Sequence, residues 1–95
     1  MMTSYARVRT EKATEYLVRF SKAWLRSVPD LVFNDRLATI RFPHASCELS
    51  AGDGFLDITL TANSKEYATL LEDIVAERLD GLARDEELKY QWALQ

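Results

Sequence analysis

The sequence predicts an α+β fold, a two-layer sandwich in which two helices cover one face of a mostly antiparallel sheet. Apolar residues recur every three or four positions in two segments, as in amphipathic helices, and alternate with polar residues elsewhere, as in half-buried strands. Short turns join the middle strands and make them antiparallel, and two helices can cover only one face of such a sheet. The predicted order is β-α-β-β-β-β-α-β in a single domain, residues 1–95.

The first strand and the first helix occupy the N-terminal third of the chain. Residues 4–10 alternate between apolar and polar side chains, which predicts a strand. Thr10 is expected to cap the helix that follows, with Glu11 in its first turn, and Pro29 is expected to end it. The apolar stripe of this helix consists of Ala13, Tyr16, Leu17, Phe20, Ala23, Trp24 and Val28.

Four strands are predicted in the middle of the chain. Asn34 and Asp35 suit the first turn between them because both residue types tolerate a left-handed backbone. The stretch "SAGDG", residues 50–54, reads as another turn. The strands are predicted at residues 31–33, 36–42, 44–49 and 55–62.

A second helix and a closing strand complete the predicted fold. Asn63 and Glu66 resemble a capping box at the start of the helix. Residues 88–93 alternate again and predict the closing strand. Arg78 intrudes into the apolar stripe of the helix. That stripe consists of Tyr67, Leu70, Leu71, Ile74, Val75, Leu79 and Leu82.

Composition and charge argue against several classes of protein. The chain is 47% hydrophobic and 28% charged, as in ordinary globular proteins. Its net charge of -3 argues against binding to nucleic acids or to anionic membranes, both of which need a basic surface. One cysteine forms no internal disulfide, and the N-terminal stretch lacks the pattern of a signal peptide, so we expect a cytoplasmic protein.

His44 and Cys47, the sole histidine and the sole cysteine, lie three residues apart in "FPHASCEL". Side chains alternate across a strand, so the two are expected on opposite faces of the sheet. A catalytic thiol needs a base within hydrogen-bond reach, and a closed zinc site needs four ligands. We therefore predict Cys47 to be a buried core residue and His44 to be a solvent-facing turn residue.

Three other groups of residues are candidate sites. The aromatic residues Tyr16, Phe20 and Trp24 have the spacing of a helix core, and the carboxylates of residues 85–87 are typical of a solvated loop, so neither predicts a cofactor or a metal. Arg78 is the one candidate ligand-binding residue. Its charge within an apolar stripe has three interpretations, which are a snorkelling stem, a buried ion pair, or a wet crevice that receives an anion.

The chain resembles the small bacterial family known as domain of unknown function 2218. The resemblance covers nearly the full length. It rests on "ARVRT" (residues 6–10), "YL" (16–17), "RFP" (41–43), "CEL" (47–49), "LEDIVAERL" (71–79) and "EELKYQW" (86–92).

The resemblance implies a link to iron handling, because relatives occur beside, or fused to, flavoproteins that interact with siderophores. Members of the family carry histidines at positions that read Ala23, Arg26 and Arg78 here, while Cys47 matches the family's cysteine. We therefore expect no histidine-and-cysteine metal or haem site in this chain, and we assign no cofactor.

Two classes of function follow from the sequence. The first is a non-catalytic accessory or ligand-binding domain, connected to iron or siderophore metabolism by family association alone. The second is an enzyme or redox module centred on Cys47. Alternation favours the first because it buries Cys47, and no catalytic residue is assigned. Candidate partners are a siderophore-interacting flavoprotein, a small anionic ligand such as a ferric siderophore or flavin phosphate, and a second copy of the chain, which would cover open sheet edges.

Overall fold

The structure, a computed structural model, describes residues 1–25, 27–28 and 30–94. It confirms the α+β fold, with two helices packed on a sheet of antiparallel strands. In chain order the elements are β1 (Met2–Arg9), α1 (Ala13–Trp24), β2 (Leu31–Phe33), β3 (Leu37–Phe42), β4 (Ala45–Gly52), β5 (Phe55–Ala62), α2 (Lys65–Leu82) and β6 (Ala93–Leu94).

The strands form one sheet in the order β2-β3-β4-β5-β1-β6, and every neighbouring pair is antiparallel. Tight turns connect β2 to β5 in sequence. The N-terminal strand β1 then pairs with β5 along its whole length, from Met2 opposite Ala62 to Arg9 opposite Phe55. Three strands of the sheet therefore place Ile40, Cys47 and Leu60 side by side in one row.

The core lies between the helices and the inward face of the sheet. Alternate residues of β1, β4 and β5 supply the sheet side, because successive side chains of a strand point to opposite faces. The largest fully buried apolar side chains are Tyr16, Phe20, Leu17, Ile40, Leu49, Leu56, Ile58, Leu60, Leu79 and Val8.

The turn predicted at residues 50–54 is shorter than expected, since β4 continues to Gly52. Gly54 has a φ of 82°, a conformation that glycine adopts without a steric penalty. A Cβ atom on Gly52 would lie 2.2 Å from the ring of Phe55, so a larger residue here would require the ring to move.

The turn at Asn34 and Asp35 is present, but the predicted left-handed backbone is wrong. No non-glycine residue has a positive φ in the described part of the chain. The Asn34 side-chain oxygen instead accepts hydrogen bonds from the backbone N–H groups of Arg36 (2.8 Å) and Leu37 (2.9 Å). The side chain, rather than an unusual φ, stabilises this turn.

Helix α1 begins later than predicted and buries a slightly different face. It starts at Ala13, and Thr10 accepts a hydrogen bond from the backbone N–H of Lys12 (3.1 Å) before the helix begins. Ala23, predicted in the apolar stripe, is exposed, and Ser21 is buried in its place. The predicted helix end at Pro29 lies outside the described residues, as does Arg26.

Helix α2 is capped by Ser64 and not by Asn63, because the Ser64 hydroxyl accepts the backbone N–H of Tyr67 (3.2 Å). Its buried face is also rotated from the predicted one. Leu70 is 55% exposed, whereas Ala68 is buried. The fully buried residues of the helix are Ala68, Leu71, Val75 and Leu79.

The closing strand is much shorter than the predicted strand at residues 88–93. Only Ala93–Leu94 pair with β1. Leu88 is buried, and the Tyr90 hydroxyl donates to the backbone oxygen of Ala76 (3.3 Å) and to the Asp80 carboxylate (3.0 Å). These contacts hold the segment before β6 against helix α2, and strand pairing with β1 is lost.

Candidate functional site

Cys47 lies in the core, where alternation placed it. Its side chain is 1% exposed and stands between Ile40 and Leu60 in neighbouring strands. Burial raises the pKa of its thiol to about 12. Because the thiolate is the nucleophilic form, this environment disfavours covalent or redox chemistry at Cys47.

His44 is exposed and occupies the two-residue turn between β3 and β4 with Pro43. His44 is thus the solvent-facing turn residue predicted from the sequence, and β4 begins at Ala45, one residue after the start of the predicted strand. The structure therefore separates His44 from Cys47, with one at a sheet corner and the other under the helices. The two do not form a shared site.

Arg78 is exposed and its guanidinium lies over the ring of Trp24, 4.9 Å from the ring centroid. Trp24 also packs edge-on against Phe42 at 5.4 Å between ring centroids. Arg78 forms no salt bridge among the described residues. Since the buried face of α2 runs beside it, Arg78 flanks the apolar stripe and does not interrupt it.

A concave surface with several polar side chains lies at the His44 corner of the sheet. We call it the corner groove, and its volume is about 270 Å³. Its polar lining residues are Arg41, His44, Ser46, Thr61 and Asn63, and the side chains of the remaining lining residues are apolar.

Strand register explains why these polar groups converge. Arg41 of β3 is opposite Ser46 of β4, and Ser46 is opposite Thr61 of β5. Directly opposed residues share one face of a sheet, so a guanidinium and two hydroxyls form a row on the face away from the helices. The row ends at the turn that carries His44.

Hydrogen bonds fix His44 relative to the strand end that follows β5. The backbone N–H of Asn63 donates to the His44 backbone oxygen (3.2 Å), and the Asn63 amide nitrogen lies 3.4 Å from His44 Nδ1. This contact holds the imidazole ring beside the Asn63 side chain.

The groove has an unusual charge for this chain. Its lining contains no carboxylate, although the protein carries a net charge of -3. Arg41 forms no salt bridge within the described ranges. A guanidinium, an imidazole, hydroxyls and an amide are groups that hold carboxylate or phosphate oxygens.

Two of the carboxylates of residues 85–87 make contacts within the protein. Asp85 pairs with Lys12 at 2.5 Å, and Glu86 accepts hydrogen bonds from the hydroxyls of Thr10 and Tyr16. Their interpretation as a wholly solvated loop was wrong for Glu86, which is partly buried. Residues 1–25, 27–28 and 30–94 contain no cluster of three or more histidine, cysteine or acidic residues placed to hold a metal ion.

Sequence reasoning missed the corner groove. The alternation of the sequence shows that Arg41, Ser46 and Thr61 are solvent-facing strand residues. It does not show which strands are neighbours or in what register they pair, so it could not predict that these three residues meet. The resemblance had drawn attention to "RFP", which contains Arg41, without assigning it a role.

Among the described residues, neither helix has the length and apolar character needed to cross a bilayer.

The comparisons with known proteins agree with this fold. The NMR structure of PA4090 from Pseudomonas aeruginosa superimposes with a TM-score of 0.83 at 27% sequence identity, over 98% of this chain and 96% of that one. No curated protein matches the chain. The sequence profile of a family described as an uncharacterized protein conserved in bacteria (DUF2218) matches residues 5–93. The chain therefore belongs to this family.

Proposed function

We propose that the protein is a non-catalytic ligand-binding domain that holds a small anion in the corner groove. The observation that carries the proposal is the lining, which combines Arg41 and His44 with hydroxyl and amide groups and contains no carboxylate. In a chain with a net charge of -3, such a surface is a local exception that favours an anion.

Binding is favoured over catalysis because the groove lacks an activated nucleophile. Its hydroxyls belong to Ser46 and Thr61, each one residue inside the end of its strand, and no acidic residue of the lining orients His44 as a base. Nucleophilic catalysis needs a nucleophile that is hydrogen-bonded to a base, and a third group that orients the base. The alternative of an enzyme or redox module at Cys47 is disfavoured by the burial of its thiol.

The size and chemistry of the groove define the class of ligand. A groove of about 270 Å³ has room for one anionic group and the adjoining part of a ligand, but not for a whole large molecule. Carboxylate and phosphate groups fit the planar donor fork of Arg41. The ferric siderophores and flavin phosphates suggested by the family resemblance carry such groups, and they are the first compounds to test.

A binding titration tests the proposal directly. Inorganic phosphate, citrate, flavin mononucleotide and a ferric carboxylate siderophore are added to ¹⁵N-labelled protein, and backbone amide shifts are followed. We expect at least one of these anions to shift the amides of Ser46, Thr61 and Asn63. We expect Arg41→Gln to weaken that ligand by about tenfold, the loss of one charge-assisted contact.

Arg36→Gln is the matched control, because Arg36 is an exposed arginine in the turn before β3 and does not line the groove. It should bind the anion as the wild type does. Equal weakening by Arg36→Gln and Arg41→Gln would assign the effect to overall charge, and the absence of shifts at the corner with all four compounds would refute the groove as the site.

The association partners predicted from the sequence belong to the same proposal. A flavoprotein that interacts with siderophores would supply or accept the anion, and a second copy of the chain would cover a sheet edge, both in the cytoplasm. Sedimentation of the purified protein, alone and mixed with such a flavoprotein, tests both associations. A monomer peak for the protein alone, and only the separate peaks of the two proteins in the mixture, would contradict them.

A further inference from the structure

A second cleft lies near the opposite edge of the sheet, between β1 and the segment that leads into β6. We call it the edge cleft, and its volume is about 260 Å³. Arg7 and Arg9 line it from β1, and Glu87, Lys89 and Gln91 line it from the opposite segment. On each side these are alternate residues, so two extended segments run along the cleft.

β1 and residues 87–91 are aligned as an antiparallel strand pair would be, but they are not hydrogen-bonded to each other. Tyr5 is opposite Ala93 in the β1–β6 pairing. Continued along the same antiparallel register, Arg7 would be opposite Gln91 and Arg9 opposite Lys89. No backbone hydrogen bond joins these positions in the described structure, and the cleft occupies the space where the pairing would be.

The separation leaves backbone groups of β1 without a strand partner. The backbone N–H of Thr10 donates to Gly54 next to β5, so even-numbered residues of β1 direct their hydrogen-bonding groups toward β5. Odd-numbered residues direct theirs to the other side, as Tyr5 does toward β6. The N–H and C=O groups of Arg7 and Arg9 therefore face the edge cleft.

The segment opposite β1 is held away from it by packing against the helices. The Tyr90 hydroxyl bonds to Ala76 and Asp80 of α2, Leu88 is buried, and Tyr90 stacks on Trp92 at 6.2 Å between ring centroids. Closing the cleft by strand pairing would compete with these contacts. The fold thus keeps this edge of β1 open.

The charge of the edge cleft favours an acidic occupant. Three cationic side chains face one carboxylate, that of Glu87. Arg7 is held by Asp57 through two hydrogen bonds of 2.8 and 3.1 Å, which leaves Arg9 and Lys89 outside any salt bridge among the described residues.

We infer that the edge cleft is a binding site for the carboxyl-terminal end of an extended peptide from another protein. The peptide adds to β1 as a short strand, with its backbone bonded to the open groups of Arg7 and Arg9 and its terminal carboxylate beside Arg9 and Lys89. The open edge between Arg7 and Arg9 spans about 7 Å, the rise of two strand residues. This site is separate from the corner groove, so either proposal can fail alone.

The test uses a five-residue peptide of alternating threonine and valine with a free carboxyl terminus, and the same peptide amidated. Both are titrated into ¹⁵N-labelled protein. We expect the free-acid peptide to shift the amides of Arg7 and Arg9 and to slow their hydrogen exchange. Amidation, and separately the double variant Arg9→Ser with Lys89→Ser, should each weaken binding by about tenfold.

Lys22→Ser with Lys65→Ser is the matched control, because both lysines are exposed and lie outside the cleft, and it should leave binding unchanged. Three outcomes would overturn the inference. These are unshifted amides of Arg7 and Arg9 at millimolar peptide, N-acetylglycine binding as tightly as the peptide, or backbone contacts between Arg7 and Gln91 in the free protein, which would mean that the cleft is closed in solution.

Discussion

The hydroxyl of Tyr16 in the first helix donates a hydrogen bond to the carboxylate of Glu86, 70 residues further along the chain. Tyr16 is 1% exposed, and the same carboxylate oxygen accepts the Thr10 hydroxyl at 3.1 Å. This junction ties the segment after α2 to the start of α1. It also gives Tyr16 a polar function that its place in an apolar stripe did not suggest.

Tyr16→Phe tests this junction. Loss of a hydrogen bond to a charged acceptor should lower the free energy of unfolding by about 1.5–3 kcal/mol. Tyr67→Phe should have little effect, because the Tyr67 hydroxyl has no hydrogen bond within the described residues. Urea unfolding followed by circular dichroism measures both. Equal stability of Tyr16→Phe and wild type would remove Glu86 as a structural acceptor.

The same junction predicts a loss of stability at high pH. Burial, followed by the hydrogen bond to Glu86, raises the pKa of Tyr16 from 10.0 to about 12. The folded state then holds the proton more tightly than the unfolded state, so this contribution is complete below pH 10 and is lost as the pH rises toward 12. Melting temperatures across this range should fall less steeply for Tyr16→Phe than for wild type.

Cys47 should react slowly with a thiol reagent in the native protein and rapidly in denaturant. Its thiol is buried and its raised pKa leaves little thiolate near neutral pH. A control protein with Cys47→Ala and Glu48→Cys places the thiol on the neighbouring exposed residue, and it should react rapidly without denaturant. Rapid native labelling of Cys47 itself would restore the redox interpretation.

The two buried serines should respond to alanine in opposite directions. Ser4 donates to Glu72 at 2.6 Å, so Ser4→Ala should lower the free energy of unfolding by about 1–2 kcal/mol. The Ser21 hydroxyl is buried without a partner among the described residues, so Ser21→Ala removes an uncompensated polar group and should be neutral or stabilising. Thermal unfolding of both variants decides it, and a destabilised Ser21→Ala would indicate a hidden partner such as water.

The rotated face of α2 gives a contrast between two leucines. Leu79 is fully buried, and Leu79→Ala should cost about 2–5 kcal/mol of stability. Leu70 is 55% exposed, and Leu70→Ala should change stability by only about 0.5 kcal/mol. Similar losses in the two variants would mean that the helix packs in the phase predicted from the sequence.

Arg78→Leu examines the sequence-predicted role of Arg78 as an anion ligand. Loss of its contact with Trp24 should cost about 0.5–1 kcal/mol, as expected for an exposed cation–π pair. Arg84→Leu, which replaces another exposed arginine, is the control for loss of charge. Melting curves with and without flavin mononucleotide or a ferric siderophore should shift equally in wild type and Arg78→Leu if the anion binds at the corner groove. A shift that only Arg78→Leu abolishes would assign the ligand to Arg78.

The fold class, the order of the elements and the inward side of the main strands could all be predicted from the sequence alone. In β5 and around Cys47, apolar and polar residues alternate with a period of two. Because one face of the sheet is buried, the apolar set of side chains must be the set that faces the core. Cys47 could therefore be placed in the core and apart from His44 without any knowledge of strand neighbours.

The choice of neighbouring strands, the rotation of α2 and the pairing of the closing strand depend on tertiary contacts that the sequence pattern does not reveal. The buried face of α2 includes Ala68, a residue too small to stand out in a hydrophobic pattern, and excludes Leu70, since packing against the sheet selects shape as well as hydrophobicity. Residues 88–93 alternate as a strand does, but only Ala93–Leu94 pair with β1. The hydrogen bonds of Tyr90 to α2 hold the rest of the segment away from β1. Both clefts depend on such long-range choices, because their lining residues come from segments that meet only through strand register and helix packing.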